Sequence, residues 1–163
     1  MIKLFRIDER LIHGQVAIKW SRHTDVDHIV VANDGAASSE IMKKTLLMAA
    51  PAGVKTAIRT VKDAVTLLND PRCDKFKILV LVNSPEDALK LVESISGIPY
   101  INVGNYGRVA PEKPGMKRSR YGSNIYCDES EVAAFKKLLA SGLRCIYQTT
   151  PENPAEDLGK IFS

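Results

Sequence analysis

A histidine near the start of the chain follows an acidic and a basic side chain, since Asp8, Arg10 and His13 fall within six residues. A neutral imidazole can attack a phosphoryl group when one ring nitrogen is free and a hydrogen bond at the other fixes the tautomer. Asp8 or a backbone carbonyl could accept that bond, and the Arg10 guanidinium could neutralise the phosphoryl group with two hydrogen bonds. These residue types at this spacing suit a phosphohistidine site with His13 as the acceptor.

The residues after His13 fit the same chemistry. A helix is predicted to begin there, and the backbone N–H groups at a helix N-terminus bind anions. Gly14 and Gln15 are placed to offer such groups, and Gly14 lets the backbone approach a phosphate closely. The spacing also fits a different interpretation, a surface loop in which Asp8 caps a helix and His13 has no chemical role.

The elements that must position these residues begin with apolar runs of strand length. Most runs are continuously apolar and do not alternate with polar residues, which is typical of strands buried on both faces of a parallel sheet. Seven strands are predicted, at Ile2–Ile7, His28–Ala32, Val54–Ile58, Ile78–Val82, Tyr100–Val103, Ser123–Tyr126 and Leu143–Tyr147.

Helical segments with capping signals lie between most of these strands. They are predicted at Gln15–Arg22, Ser38–Ala49, Thr60–Leu68, Pro85–Ile95 and Asp128–Ala140, with a short helix from Ala155. The alternation predicts an α/β fold, a doubly wound and mainly parallel sheet of about seven strands with helices on both faces. Ligands of such sheets bind beyond the carboxyl ends of the strands, where residues 8–13, the site loop, follow the first strand.

A second feature is a cluster of positive charge in residues 108–120, the basic loop. It contains one acid, Glu112, and five cations, Arg108, Lys113, Lys117, Arg118 and Arg120, so its net charge equals the +4 of the whole chain. This charge favours an anionic partner or a phosphorylated ligand. A solvated loop without a partner is the alternative, and nucleic acid is not expected because no RNA-binding motif accompanies the charges.

Composition narrows the classes of protein to which the chain can belong. A chain of 163 residues with 45% hydrophobic residues suits one folded domain, expected over 1–163. Neither a membrane-spanning run nor a signal-peptide pattern is found, so a cytoplasmic location is expected. Three widely spaced cysteines make a disulfide framework or a zinc site unexpected. His23 and His28 are expected to be structural or neutral.

The site loop and its flanks resemble the active-site signature of a known family. The string Arg6-Ile7-Asp8-Glu9-Arg10-Leu11-Ile12-His13-Gly14-Gln15-Val16, with Trp20, resembles that of the EIIB component of the mannose/fructose/sorbose family of the bacterial sugar phosphotransferase system (PTS). The resemblance continues along the chain, at Val31–Asp34, Ala49–Pro51, Leu81–Ala88, Ile101–Gly104 and Gln148–Pro151. One departure is Asn105, where the family usually has a second glycine after Gly104.

The resemblance implies a function for His13. In this family the matching histidine receives a phosphoryl group from a phosphohistidine of EIIA, here expected to be a separate protein. It passes the group to a sugar held by the membrane components EIIC and EIID, so transient association with the inner face of the membrane is expected. Neither a nucleotide nor an obligatory metal is implied. A regulatory EIIB-like phosphoprotein that does not feed transport is the alternative. The sequence does not decide whether the chain forms a homo-oligomer.

The resemblance also implies roles for the neighbours of His13. Asp8 and Arg10 match family positions that order the loop and contact the phosphate, and Gly14 and Gln15 are expected to assist them. Arg6 matches a family arginine. Candidate docking residues for the partner proteins are four cations, Arg6, Lys117, Arg118 and Arg120.

Overall fold

The structure, a computed structural model, describes residues 1–163 and is built on a seven-stranded sheet. The chain has nine strands, of which β6 and β7 lie outside this sheet. They are β1 Ile2–Ile7, β2 His28–Ala32, β3 Lys55–Arg59, β4 Ile78–Val82, β5 Ile101–Val103, β6 Ser119–Tyr121, β7 Ile125–Cys127, β8 Cys145–Tyr147 and β9 Glu156–Asp157. The sheet order is β3-β2-β4-β1-β5-β8-β9, with every pair parallel except β8 and β9. The predicted α/β fold with a mainly parallel sheet is confirmed.

The predicted membership of the sheet was wrong at two places. The segment predicted as Ser123–Tyr126 is β7, which pairs antiparallel with β6 in a separate two-stranded sheet. The seventh place is taken by β9, Glu156–Asp157, whose two acids are exposed and carry no apolar signal. An apolar run can predict that a segment is extended, but its partner depends on residues distant in sequence.

The helices are α1 Gly14–Thr24, α2 Asp34–Ala37, α3 Glu40–Ala49, α4 Val61–Leu68, α5 Pro85–Ser94, α6 Glu129–Ala140 and α7 Leu158–Ile161, with a 3-10 turn at Pro71–Lys75. The helix predicted at Ser38–Ala49 starts later, because the Ser39 hydroxyl caps α3 by accepting the Met42 N–H at 3.2 Å. The final helix starts at Leu158 and not at Ala155, because β9 precedes it. None of the helices combines the length and apolar character needed to cross a membrane.

The helices cover both faces of the sheet and enclose two apolar cores. Trp20 of α1 packs in the same core as Leu4, whereas Phe5 and Ile7 belong to the larger core on the opposite face. Successive side chains of a strand point to opposite faces, so β1 serves both cores. Arg6 therefore lies on the face of α1, with its guanidinium carbon 5.0 Å from the centre of the Trp20 ring.

Candidate functional site

The site loop leaves the sheet between two neighbouring strands. Ile7 pairs with Val82 of β4 and with Val103 of β5, so the three strands end at one level. The Asp8 N–H donates to the Val82 carbonyl at 2.9 Å, and the Gly104 N–H donates to the Ile7 carbonyl at 2.8 Å. The loop thus begins at the carboxyl edge of the sheet, where ligands of parallel sheets bind.

A tight turn then brings the loop back over its own start. Leu11 has a φ of 58° in the left-handed region, and its N–H donates to the Asp8 carbonyl at 2.9 Å. That conformation costs roughly 1 kcal/mol for a residue other than glycine. Leu11 and Ile12 are both buried in the core beneath α1, and this burial offsets the cost. The turn places His13 beside Asp8.

The His13 imidazole is held at both ring nitrogens. Nε2 lies 2.9 Å from Oδ2 of Asp8, and Nδ1 lies 2.8 Å from Nη2 of Arg10. A carboxylate can only accept and a guanidinium can only donate, so the neutral ring carries its hydrogen on Nε2 and its lone pair on Nδ1. The sequence left open whether Asp8 or a backbone carbonyl meets the ring, and the structure places Asp8 there.

Asp8 has no exposed surface and accepts hydrogen bonds on both of its oxygens. Oδ1 accepts the Arg10 N–H at 3.1 Å, while Oδ2 accepts His13 Nε2–H and faces Nη2 of Arg6 at 3.4 Å. A carboxylate surrounded by donors on both sides has one orientation that satisfies them all. Asp8 therefore fixes the ring of His13 and the backbone of Arg10 together.

Arg6 lies beneath this pair and is 1% exposed. Its guanidinium donates to the Asn102 side-chain oxygen and, at 2.9 Å each, to the carbonyls of Gln148 and Thr149. Burial lowers the pKa of Arg6 to about 10, although the charge of Asp8 opposes the shift. A side chain this buried cannot reach a docking partner, so that predicted role is corrected. Arg6 braces Asp8 from inside.

Two further residues of this brace were missed by the sequence reasoning. Asn102 of β5 is fully buried and accepts the hydrogen bond from Arg6. A Cβ on Gly104 would lie 2.1 Å from Nη2 of Arg6, so only glycine leaves room for the guanidinium. The Trp20 indole N–H donates to the Thr149 carbonyl at 3.1 Å, so α1 is held to the same segment after β8 that accepts hydrogen bonds from Arg6. The sequence signal that could have identified Asn102 and Gly104 was the string Ile101–Gly104, which resembles the family and contains both residues.

Helix α1 begins directly after His13. Gly14 has a φ of 48°, which glycine adopts without strain, and the space beside its Cα is open. The backbone N–H groups of Gly14 and Gln15 have no hydrogen-bond acceptor within the chain. They belong to the first turn of a helix whose N-cap is His13 itself. Free N–H groups at this position suit an anion bound to the imidazole.

The three candidate docking cations of the basic loop fall into two groups. The Arg118 side chain is 6% exposed and forms an ion pair with the buried Glu131 at 3.0 Å, so its predicted docking role is corrected to an internal one. Lys117 is exposed and makes no hydrogen bond or ion pair. Arg120 is exposed and donates to the Gly122 carbonyl at 3.0 Å. Only Lys117 and Arg120 remain accessible to a partner.

The side chains at the site suit an anion better than a cation. Arg10 and the free amides are donors, and Asp8 already accepts hydrogen bonds on both oxygens. Nowhere in the chain do three or more His, Cys, Asp or Glu side chains converge in a way that could hold a metal ion. The arrangement can therefore present a nucleophilic nitrogen to a phosphoryl group and neutralise the group once attached.

Comparison with known proteins gives matches over almost the whole chain. Residues 2–163 match the family model described as the PTS system sorbose subfamily IIB component. A probable phosphotransferase enzyme IIB component of Streptococcus pyogenes serotype M6 is 38% identical over 164 residues, which cover 100% of both proteins. The mannose-specific EIIAB component of Escherichia coli K12 is 32% identical over 163 residues, which are 100% of this chain and 49% of that longer protein.

A solved structure also matches closely in shape. The IIBSor domain of the sorbose permease from Klebsiella pneumoniae superposes with a TM-score of 0.87 and is 27% identical in sequence. The match covers 97% of this chain and 93% of that domain. The central sheet and the helices on its two faces therefore have a counterpart in a known structure.

Proposed function

Since the chain belongs to the sorbose subfamily of PTS system IIB components, we propose that it carries a phosphoryl group on Nδ1 of His13 between EIIA and a sugar. The observation that carries the proposal is the pair of contacts on the ring. Asp8 holds the hydrogen on Nε2, and the lone pair of Nδ1 faces the Arg10 guanidinium. Membership of the family makes the chain a component of a sugar phosphotransferase system.

The acceptance step needs no proton transfer at the attacking nitrogen. Nδ1 of His13 forms a bond to phosphorus as the bond between phosphorus and the EIIA imidazole breaks, and the lone pair left behind stays on EIIA. The transition state for such transfers is loose, so the protein mainly positions the groups and neutralises their charge. Arg10 and the Gly14 and Gln15 amides supply the positive field.

The donation step reverses this chemistry toward a sugar hydroxyl held by EIIC and EIID. Phosphorus leaves Nδ1, the sugar oxygen forms the new bond, and the hydroxyl proton passes to a base of the membrane complex or to water. Asp8 keeps the proton on Nε2 throughout, so His13 returns to the tautomer in which it began. The chain meets its membrane partners transiently at the inner face of the membrane.

The experiment for the whole proposal follows a phosphoryl label from EIIA to sugar. Phosphorylated EIIA is mixed with this chain and with vesicles that contain EIIC and EIID, and labelled sugar phosphate is measured. The proposal expects the label to appear on His13 first and on the sugar afterwards. A chain that is labelled on His13 but never labels sugar would have a regulatory role.

Replacing Asp8 by Asn is expected to slow transfer to His13 about tenfold, because a misplaced nucleophile loses rate steeply. An amide has one accepting and one donating end. With the oxygen toward His13 and Arg6, its NH₂ group would face the Arg10 N–H, and the reverse orientation would repel the imidazole and Arg6. Arg6 would also lose its buried counter-charge, at a cost of about 2 kcal/mol in stability. Single-turnover rates and urea unfolding measure the two effects.

The control for that substitution is Asp63→Asn in the exposed first turn of α4, which makes the same chemical change away from the site. It should leave the transfer rate within twofold of wild type. A wild-type rate in Asp8→Asn would show that Asp8 does not set the tautomer of His13.

Reversing Lys117 and Arg120, the two candidate docking cations of the basic loop that are exposed, tests whether the loop steers EIIA. Phosphorylated EIIA brings negative charge to the encounter, and a positive rim raises association rates in a salt-dependent manner. The double variant Lys117→Glu, Arg120→Glu is expected to lower the second-order transfer rate about tenfold at low salt. The single-turnover rate in the bound complex should stay unchanged. Quenched reactions over a series of salt concentrations measure the second-order rate and the single-turnover rate.

A matched charge reversal separates steering from net charge. Lys136 and Lys137 are exposed on α6, so Lys136→Glu, Lys137→Glu changes the total charge equally outside the loop. If both double variants lowered the rate to the same extent, the effect would come from net charge and the basic loop would have no docking role.

A further inference from the structure

Glu9, in the middle of the site loop, binds three successive backbone amides, those of Gly107, Arg108 and Val109, here called the amide cluster. Oε2 accepts the Gly107 N–H at 2.6 Å and the Arg108 N–H at 3.0 Å. Oε1 accepts the Val109 N–H at 2.8 Å and lies 3.2 Å from the Arg108 nitrogen. Consecutive amides that converge in this way form a small anion-binding concavity, and the Glu9 carboxylate occupies it.

The amide cluster can form because of the residue at its start. Gly107 has a φ of 91°, and a Cβ there would lie 1.8 Å from the Tyr126 carbonyl oxygen. Only glycine combines that backbone conformation with that close approach. The chain bends at Gly107 and turns its N–H toward Glu9, so the concavity is built by the backbone and does not depend on a flexible side chain.

The amide cluster is in turn fastened to helix α6. The Arg118 guanidinium donates to the Gly107 carbonyl at 3.2 Å and to the Ala110 carbonyl at 2.5 Å, and it is paired with the buried Glu131. The Tyr106 hydroxyl donates to the same carboxylate. Burial and the Glu131 carboxylate raise the pKa of Tyr106 above its usual range, so the hydroxyl keeps its hydrogen. The amide cluster that Glu9 binds is therefore anchored to α6.

Glu9 transmits this fixed position to the residues that touch the imidazole. Its own N–H donates to the Asn105 carbonyl at 3.2 Å, so backbone and side chain are both held by the segment after β5. Its two neighbours in sequence, Asp8 and Arg10, contact the two nitrogens of His13. A shift of Glu9 would move both neighbours, because each is joined to it by one peptide bond.

We propose that Glu9 is a positioning residue for phosphoryl transfer, acting by clamping the site loop to the amide cluster. The inference rests on the proposed role of His13 and extends it to a residue that does not touch the imidazole. Uncharged glutamine cannot replace Glu9, because its NH₂ group would face at least one of the three amide N–H groups. Aspartate keeps the charge, but it is shorter by one methylene and cannot span the same gap unless the loops move.

The experiment compares Glu9→Gln with Glu112→Gln, a matched loss of one negative charge at an exposed residue of the basic loop that makes no hydrogen bond. Three quantities are measured on each protein: the hydrogen exchange of the three cluster amides, the ¹⁵N resonances of the His13 imidazole, and transfer from phosphorylated EIIA. Glu9→Gln should expose the amides to exchange and shift the imidazole resonances. It should lower the single-turnover rate at saturating EIIA about tenfold and leave the apparent KM unchanged.

A role in folding alone would give a different pattern. If the cluster amides exchange freely in Glu9→Gln while the imidazole resonances and the single-turnover rate match wild type, the clamp exists but does not position His13, and the proposal is overturned. A raised KM with an unchanged single-turnover rate would assign Glu9 to docking and also overturn it. Should Glu9→Gln fail to fold, Glu9→Asp is measured in the same way against the same outcomes.

The imidazole resonances keep this inference separate from the proposed function. If the wild-type chain took no label on His13, the phosphocarrier proposal would fail. The response of the His13 resonances to Glu9→Gln would still show whether Glu9 positions the ring.

Discussion

His13→Ala is expected to abolish acceptance of the phosphoryl group from EIIA. Nδ1 of His13 presents a lone pair at the site, whereas the Asp8 carboxylate is buried and accepts hydrogen bonds on both of its oxygens. Wild type should acquire one acid-labile, base-stable phosphate, as expected of a bond between phosphorus and nitrogen. Labelling by phosphorylated EIIA, followed by peptide mapping, measures the stoichiometry and the position.

The control for that substitution is His23→Ala on the same helix. His23 is exposed near the end of α1 and packs edge-on against Trp20, 5.8 Å between ring centres, without reaching the site loop. Its loss should leave the labelling intact. Full labelling of His13→Ala, or an acid-stable phosphate on a serine, would contradict the assignment of His13.

Arg10→Ala is expected to slow transfer to His13 by about 10²-fold, or about 2.7 kcal/mol of transition-state stabilisation. The Arg10 side chain is exposed and its one hydrogen-bond contact is with Nδ1 of His13, so its removal leaves no buried partner unsatisfied. The fold and the thermal midpoint should stay close to those of wild type. Rapid-quench measurement of a single turnover at saturating EIIA gives the rate of the chemical step.

Two further variants show whether the geometry or only the charge of Arg10 matters. Arg10→Lys should recover part of the rate, because an ammonium supplies charge without the planar fork of a guanidinium. Arg22→Ala removes an exposed cation in the last turn of α1 and should have no effect on the single-turnover rate. A wild-type rate in Arg10→Ala would mean that the helix amides alone neutralise the phosphoryl group.

Most of the sheet was readable from the sequence because its central strands are buried on both faces. The bounds predicted for β1, β2 and β4 are those of the structure, Ile2–Ile7, His28–Ala32 and Ile78–Val82. The prediction failed where a strand carries no apolar run, as in β9, or where an apolar run joins another sheet, as in β7. Strand pairing depends on contacts across the chain, and local composition does not encode them.

The core of the candidate site could be proposed from the sequence because its parts are adjacent. Asp8, Arg10 and His13 lie on one short loop, so the chemistry of their side chains and the turn at Leu11 bring them together. The resemblance to a family supplied the expected direction of transfer and the expected partners. Neither source showed which ring nitrogen faces Asp8, since that depends on how the loop turns in three dimensions.

The sequence by itself determined the α/β class of the fold and a local string whose residue types suit the proposed phosphohistidine. The tertiary structure decided the fate of the buried cations, Arg6 and Arg118, which had both been named from the sequence as candidate docking residues. Arg6 is enclosed by acceptors from distant segments, the carbonyls of Gln148 and Thr149 among them. Arg118 is enclosed by the Glu131 carboxylate and by the carbonyls of Gly107 and Ala110, which fold back around it. A charge becomes internal when folding surrounds it with acceptors. For Arg6 these include residues more than a hundred positions away, which reach the guanidinium only after the strands have paired.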